Sequence, residues 1–360
     1  MILLSSIINE FKDRFLEKYK KSILPSHKKA LQSMQKCRQK HSPHMLARCT
    51  NDNCRKQIFI PHSCGHRSCP HCQNHESWQW IENQLKKQLP AQYFLLTFTL
   101  PQQLRWLVFL NQQLIYSLMF LCVQETLKTF TLNDKQLQGL AGFTTVLHTN
   151  SRRLDFHPHI HVVMPAASIN CKTRSWRVKA SKYIFNHKNL AKVFRAKLLE
   201  KMVENGLPVP QNCPKKWVVG SKNVGNGDKA LIYLGRYLYK GVIQEKDILK
   251  CENGMITFRY MDAETNCYQT RTVTGEHFLW LLMLHVLPKG FRKTRCYGFL
   301  HPCSKRVIKL LQLILRFNPA GMLKKLKPKV EIICKCCGAK MKIIRTMIPA
   351  NEIRQSAHST

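Results

Sequence analysis

At 360 residues the chain has room for two or three domains with a sizeable core. Its 58 lysines and arginines stand against only 20 aspartates and glutamates, a formal net charge of +38 with the histidines neutral. That excess excludes an ordinary solvated surface and calls for a polyanionic partner, nucleic acid ahead of anionic membrane. The opening "MILLSSIINEFKDRFLEKYKK" places apolar residues before charge, the reverse of a signal peptide. A cytoplasmic protein is expected, in which the 16 cysteines stay reduced.

In chain order, "INEFKDRFLEKYKK" and "HKKALQSMQKCRQK" are expected as helices leading into "CTNDNCRKQIFIPHSCGHRSCPHC". There Cys49-x4-Cys54 and Cys69-x2-Cys72 are two close thiol pairs on tight turns, the pattern a tetrahedral structural zinc needs. Cys64, His62, His66, His71 and Cys37 stand as substitutes or as members of a second site, and which four bind stays open. A helix "NHESWQWIENQLKKQL" ends at Pro90, and the aromatic and β-branched run "AQYFLLTFTLP" is a strand closed by Pro101. "WLVFLNQQLIYSLMFLCVQETL", with Asn111, Gln112 and Gln113 breaking its apolar run, is expected as one buried helix and not a membrane span.

Next, "GFTTVLHTNSRRLDFHPHIHVVMPA" reads as a hairpin with a polar turn from Thr149 to Arg153. A basic helix ended by Gly206 follows, then a helix in "GDKALIYLGRYLYKGVI" and a hairpin in "DILKCENGMITFRYMD". The strand "YQTRTVTG" comes next, then a helix "EHFLWLLMLHVLP" stopped by Pro288. The final sixty residues are basic and carry "CKCCG", in which Cys334 and Cys337, with Gly338 closing the turn, make half of a second zinc site. Cys303 or His301 are the residues considered to complete it. Strands at 93–99, 143–149 and 156–164 separated by helices or a tight turn give an α+β fold, an antiparallel sheet covered by helices. Three consecutive parts are expected: a helical zinc-binding domain at 1–90, a catalytic domain at 91–300 and a basic segment at 301–360.

The segment "DFHPHIHVVMP" carries His157, His159 and His161 at every second position. On a strand all three share one face, which a buried core does not accept without partners. Residues two apart lie roughly 6.5 to 7 Å apart at Cα and four apart about 13 Å, so one adjacent pair can hold a common ion. His159 and His161, with Ile160 anchored in the core between them, are the expected ligands; His157 becomes a supporting or substrate-contacting group, and a third ligand must come from elsewhere. In "LIYLGRYLYKG", Tyr233 and Tyr237 lie about 40° apart on one helix face, bordered by Arg236 and Lys240. Two phenols, two cations and a two-histidine metal site point to phosphoryl transfer in which a phenol attacks a phosphate polarised by the metal.

The succession "HSCGHRSCPHCQ", "YFLLTFTLP", "VLHTNSRRLDFHPHIHVVMP", "YLGRYLYKGVI" and "LLMLHVLPKGFRKTRCYGFL" resembles, in order and nearly end to end, the two-tyrosine transposases of the histidine–hydrophobic–histidine (HUH) class carried by bacterial rolling-circle insertion sequences. The resemblance implies metal ligands at His159 and His161, paired nucleophiles at Tyr233 and Tyr237, and a catalytic Mg²⁺ or Mn²⁺ beside the structural Zn²⁺. It also implies action on single-stranded DNA at element ends and on target DNA, through a 5′-phosphotyrosine, in the bacterial cytoplasm near the nucleoid. A replication initiator or relaxase with the same chemistry, a zinc-dependent DNA-binding regulator and an inactive transposase remnant are the alternatives.

Overall fold

In the computed structural model residues 2–39, 44–239, 241–262, 264–324, 326 and 331–347 are described. The first helix, α1 (Leu4–Lys18), buries Leu4, Ile7, Ile8, Phe11 and Phe15, a spacing that puts them on one stripe. Helix α2 (Pro25–Gln35) starts on a proline whose missing N–H costs nothing at that position. A hairpin, β1 (His44–Cys49) and β2 (Gln57–Pro61), precedes α3 (Asn74–Leu85) and β3 (Tyr93–Thr99). The long apolar segment expected as one helix is two, α4 (Arg105–Leu110) and α5 (Gln112–Asn133). The break falls at Asn111 (φ −124°, ψ 41°), whose side-chain amide donates to the Leu107 carbonyl at 3.1 Å. Such local bonds compete with the helix ladder.

Strands β4 (Leu140–Ala141), β5 (Phe143–Asn150), β6 (Phe156–Pro165), β7 (Ala167–Asn170) and β8 (Ser175–Val178) lead to α6 (His187–Glu204). Asn186 caps that helix by accepting from the N–H groups of Lys188 and Asn189. Then come β9 (Val219–Asn223), α7 (Asp228–Tyr239), β10 (Ile248–Glu252), β11 (Met255–Met261), β12 (Tyr268–Thr274), α8 (Gly275–Met283), β13 (Thr294–Tyr297), α9 (Lys305–Ile314) and β14 (Met341–Met347). The β10–β11 turn is Asn253-Gly254 with both φ positive (52° and 74°), as a tight hairpin of this twist requires.

The central sheet is fully antiparallel in the order β13-β5-β6-β3-β9, so the histidine strand β6 is its middle member. One face packs Phe94, Leu96, Phe98, Ile160 and Val162 against residues of α5 and α6 such as Phe120 and Phe194. On the other face Tyr93, Val146 and Val163 meet Trp80, Ile81 and Leu85 of α3 and Leu231, Leu234 and Leu238 of α7. Burying each of those leucines stabilises the arrangement by roughly 2 kcal/mol, so α7 is held firmly on that face. The first two helices share a core with α8 and the β10-β11-β12 sheet through Phe11, Phe15, Phe258 and Phe278. At the other end of the chain, β14 pairs with β1 to make the three-stranded sheet β14-β1-β2. Among the described residues no helix is long and apolar enough to cross a membrane.

Candidate active site

Because β5 and β6 pair with His148 opposite His159 and Val146 opposite His161, the three imidazoles of His148, His159 and His161 rise from the same sheet face. One ring nitrogen from each lies within 4.8 Å of those of the other two. His159 Nδ1 sits 2.7 Å from the His157 carbonyl. A carbonyl only accepts, so Nδ1 carries the proton and Nε2 keeps a free lone pair. That lone pair points at His161 Nε2, 3.1 Å away, while His161 Nδ1 is 3.0 Å from Thr97 Oγ1 on β3. Burial pushes His159 down to about 4 and His161 to about 3, and holds His148 well below its ordinary value, so all three are neutral at pH 7. His148 Nε2 is buried with no hydrogen-bond partner. Neutral, buried, mutually facing nitrogens are a donor set for a divalent ion: two cis ligands at a metal–nitrogen distance of 2.0–2.1 Å are ~3 Å apart.

Sequence reasoning left the third ligand open, and His148 was legible in the hairpin itself. Pairing "VLHT" with "HIHV" across the turn puts His148 against His159. His157, the remaining member of the histidine strand, accepts from an Arg105 guanidinium N–H at 2.7 Å through Nδ1. It lines the groove beside the cluster and is not one of the three clustered nitrogens.

Tyr233 and Tyr237 project from α7 into that groove, a cavity of about 600 Å³ lined also by His148, His159, His161 and Arg152. Their ring centroids are 4.5 Å apart, and the residues are 46% and 52% exposed, so both phenols are open to solvent. Burial pushes the Tyr233 phenol upward, the neighbouring Tyr237 adds to this, and Arg152 opposes it. Arg152 is thus a cation facing Tyr233, and Lys246 and Arg259 line the same groove. Arg236, expected to border the phenols, is exposed and is not among the residues lining the groove. Lys240 lies outside the described residues.

Three contacts position this machinery. Gly235 lets α7 approach α3: a Cβ there would lie 2.2 Å from Ile81 Cγ1, and Ser77 Oγ donates to the Gly235 carbonyl at 2.8 Å. Lys293, half-buried and lowered by desolvation to about 8, donates to the Leu238 carbonyl at 3.4 Å near the C-terminal end of α7. His285 bonds Thr149 Oγ1 at 3.2 Å and the Leu154 carbonyl at 3.0 Å, bracing the turn between β5 and β6.

The cysteines assort differently from expectation. Cys49, Cys54, Cys69 and Cys72 do not meet at one point; Cys69 and Cys72 cluster with Cys37 and Cys64, whereas Cys49 and Cys54 cluster with Cys334 and Cys337. The hairpin β1–β2 carries the first pair away toward β14, and the end of α2 brings Cys37 to the second pair. His71 is engaged by Glu245 (2.6 Å), and His66 Nδ1 accepts from the Ser68 N–H at 3.2 Å. His301 accepts from the Cys303 backbone N–H, and neither joins a cluster among the described residues. His62 and His66 join none either.

An antiparallel sheet presenting a histidine–hydrophobic–histidine strand to a helix with two phenols defines the two-tyrosine HUH class. Residues 142–307 match the Y2_Tnp family, described as "Putative transposase", and residues 7–100 match the "Transposase zinc-binding domain" family Zn_Tnp_IS91. "Putative transposase y4qJ" of Sinorhizobium fredii is 30% identical over 275 residues, 69% of this chain and 68% of the relative. The transposase for insertion sequence element IS801 of Pseudomonas savastanoi pv. phaseolicola is 27% identical over 320 residues, 81% of this chain and 77% of the relative. The solved conjugative relaxase TrwC, in complex with mutant oriT DNA, aligns over 36% of this chain and 49% of its own at 18% identity and a TM-score of 0.26, a likeness that carries no argument. The chain belongs to the Y2_Tnp transposase family and carries that family's zinc-binding domain.

Proposed function

We propose that this transposase nicks and rejoins single-stranded DNA at the ends of its element through a tyrosine–DNA ester, with a divalent ion held by His148, His159 and His161. The observation that carries the reading is the shared groove: three neutral imidazoles and two accessible phenols line one cavity. When bound there, the ion supplies charge to draw a non-bridging phosphate oxygen and stabilise the charge that grows on it. Imidazole donors suit Mn²⁺ better than Mg²⁺.

A phenol oxygen of Tyr233 or Tyr237 attacks the scissile phosphorus, forming a P–O bond to tyrosine as the bond to the 3′ oxygen breaks. The phenol proton is lost and the 3′ oxygen gains one, so the products are a 5′-phosphotyrosine and a free 3′ hydroxyl. Bond energy stays in the ester, and rejoining is the reverse step with no nucleotide cofactor. Arg152 faces Tyr233 and favours its ionised form during attack. The second phenol, 4.5 Å away at the ring centroid, receives the next strand while the first still holds its end. Cys37, Cys64, Cys69 and Cys72, with Sγ separations of 3.6 to 3.7 Å between Cys37 or Cys64 and their neighbours, form a structural zinc site.

The test is a labelled single-stranded oligonucleotide carrying an element end, incubated with protein and Mn²⁺ or Mg²⁺. The expected product is a denaturation-resistant protein–DNA adduct that disappears in the Tyr233→Phe/Tyr237→Phe protein. An adduct that survives the double substitution rejects the nucleophile assignment.

A further inference from the structure

We infer that Cys49, Cys54, Cys334 and Cys337 form a second tetrathiolate zinc centre, which fastens the C-terminal strand β14 to the N-terminal hairpin. The family zinc-binding match ends at residue 100, so two of the four thiols lie far outside it. The inference stands independently of the strand-transfer chemistry proposed above.

Both thiol pairs sit on tight turns. Cys49 ends β1, and the Cys54 N–H closes the following turn onto the Asn51 carbonyl at 3.0 Å. Cys334 and Cys337 flank a turn closed by Gly338, whose N–H reaches the Cys334 carbonyl at 2.9 Å and whose φ of +72° suits glycine. The close sulfur contacts run between the pairs: Cys49 to Cys337 at 3.4 Å and Cys54 to Cys334 at 3.8 Å. All four sulfurs lie within 4.8 Å of one another. The edge of a tetrahedron with Zn–S bonds of 2.3 Å is ~3.8 Å. Backbone N–H groups already aim at the sulfurs, from Asn51 to Cys49, from Lys56 to Cys54, and from Cys336 and Cys337 to Cys334. Such donors stabilise thiolates.

The surroundings argue that something other than packing holds this module. Its fully buried core is only Ala47, Cys49, Cys334 and Met341, with Cys54, Ile58, Ile60, Ile332 and Ala339 partly buried against them, and every residue of β14 after Met341 is exposed. A three-stranded sheet with so few buried side chains is too small to be stable without a staple. Zinc binding releases the thiol protons and leaves a centre of net charge −2, and exposed Arg48, Arg55, Lys56, Lys335, Lys340 and Lys342 of the same module offset it.

The experiment is metal analysis of the purified full-length protein. Two zinc ions per chain are expected. Cys337→Ser should lower the count to one, Cys72→Ser should also lower it to one by emptying the other cluster, and Cys336→Ser, in the same turn but outside the cluster, should leave two. A parent with a single zinc that is lost in Cys72→Ser and kept in Cys337→Ser overturns the second centre while sparing the first. Should Cys337→Ser fail to fold, the unaltered chain is read by cobalt substitution. Visible absorption of tetrathiolate intensity for two ions supports the centre, and intensity for one ion overturns it. A Cys49–Cys337 disulfide in unreduced mass spectra of the native protein also overturns it.

Discussion

His161 shows how a single hydrogen bond orients a proposed ligand. Thr97 Oγ1 contacts its Nδ1 at 3.0 Å and so fixes which nitrogen faces His159. Removing the hydroxyl in Thr97→Val is expected to weaken Mn²⁺ binding about 10- to 100-fold without changing the fold, measured by titration with the protein's circular dichroism as control; unchanged affinity would remove Thr97 from the site. His148→Ala, which deletes a nitrogen from the cluster, should abolish adduct formation at any practical Mn²⁺ concentration. Away from the metal nitrogens, His285 offers a clean pH readout, because burial lowers it to about 4 from 6.5. The unfolded chain takes up a proton below 6.5 that the folded chain refuses, so this residue's contribution is full above pH 6.5 and is lost as pH falls toward 4. The expected loss is roughly 3 kcal/mol. It is read as the difference in urea midpoint shift between the parent and His285→Gln from pH 7 to 4.5, which cancels the pH dependence of zinc loss common to both. Identical shifts in the two proteins would refute it. Much of this chemistry was legible at residue scale: alternation alone put the three histidines of β6 on one face, and helical spacing put the two tyrosines together. Arg152 escaped because it reaches the phenols from a turn about eighty positions earlier in the chain, which helical periodicity cannot register.

At the scale of elements, α7 matters because it carries both phenols and is set against α3 with no spare room. Gly235→Ala improves intrinsic helix propensity by ~1 kcal/mol, yet its Cβ would fall 2.2 Å from Ile81 Cγ1 and 2.8 Å from a Trp80 ring atom. Overpacking of this kind costs about 1–3 kcal/mol, so the clash wins. The predicted outcome is a lower melting temperature and slower adduct formation, both partly restored by Ile81→Ala in the same chain. A Gly235→Ala protein as stable and active as the parent would show that α3 yields freely. The helices up to α8 and the two central hairpins were legible because their apolar periodicity or turn residues are strong, whereas α9 (Lys305–Ile314) lay in a tail read only for its charge and its thiol pair. Strand β9, "VGSKN", and strand β13, "TRCY", were not, since both are short, polar edge strands whose only strong claim to strand structure is the partner they pair with. The split between α4 and α5 is equally hidden in the sequence, because it depends on the Asn111 side chain bonding the Leu107 carbonyl and not on the residue's polarity alone.

For the whole molecule, the chain is less modular than its order suggests: the first helices pack on α8 and β11, and the last strand completes the first sheet. Linear reading could group neighbouring cysteines but not pair Cys49 with Cys337 across the full length of the fold. Charge, by contrast, needs no topology, and +38 sets the terms on which DNA is held. Besides Arg152, Lys246 and Arg259 at the active-site groove, a second depression lined by Lys87, Arg292, Arg295 and Lys305 flanks the β13 edge. If the bound strand follows these seven cations, one phosphate contact to each gives a log–log salt slope of about −5 for single-stranded DNA, an affinity loss of ~10³-fold between 50 and 200 mM salt. Fluorescence anisotropy with an oligonucleotide lacking the element end measures this term apart from sequence recognition. Arg152→Ala and Lys246→Ala should each make the slope shallower by roughly 0.7, and Lys87→Ala with Lys305→Ala should do so by about twice that if the strand continues past β13. A slope unmoved by the last pair, with the first two effects intact, would confine the strand to the tyrosine groove and leave the second depression's cations for another stretch of nucleic acid.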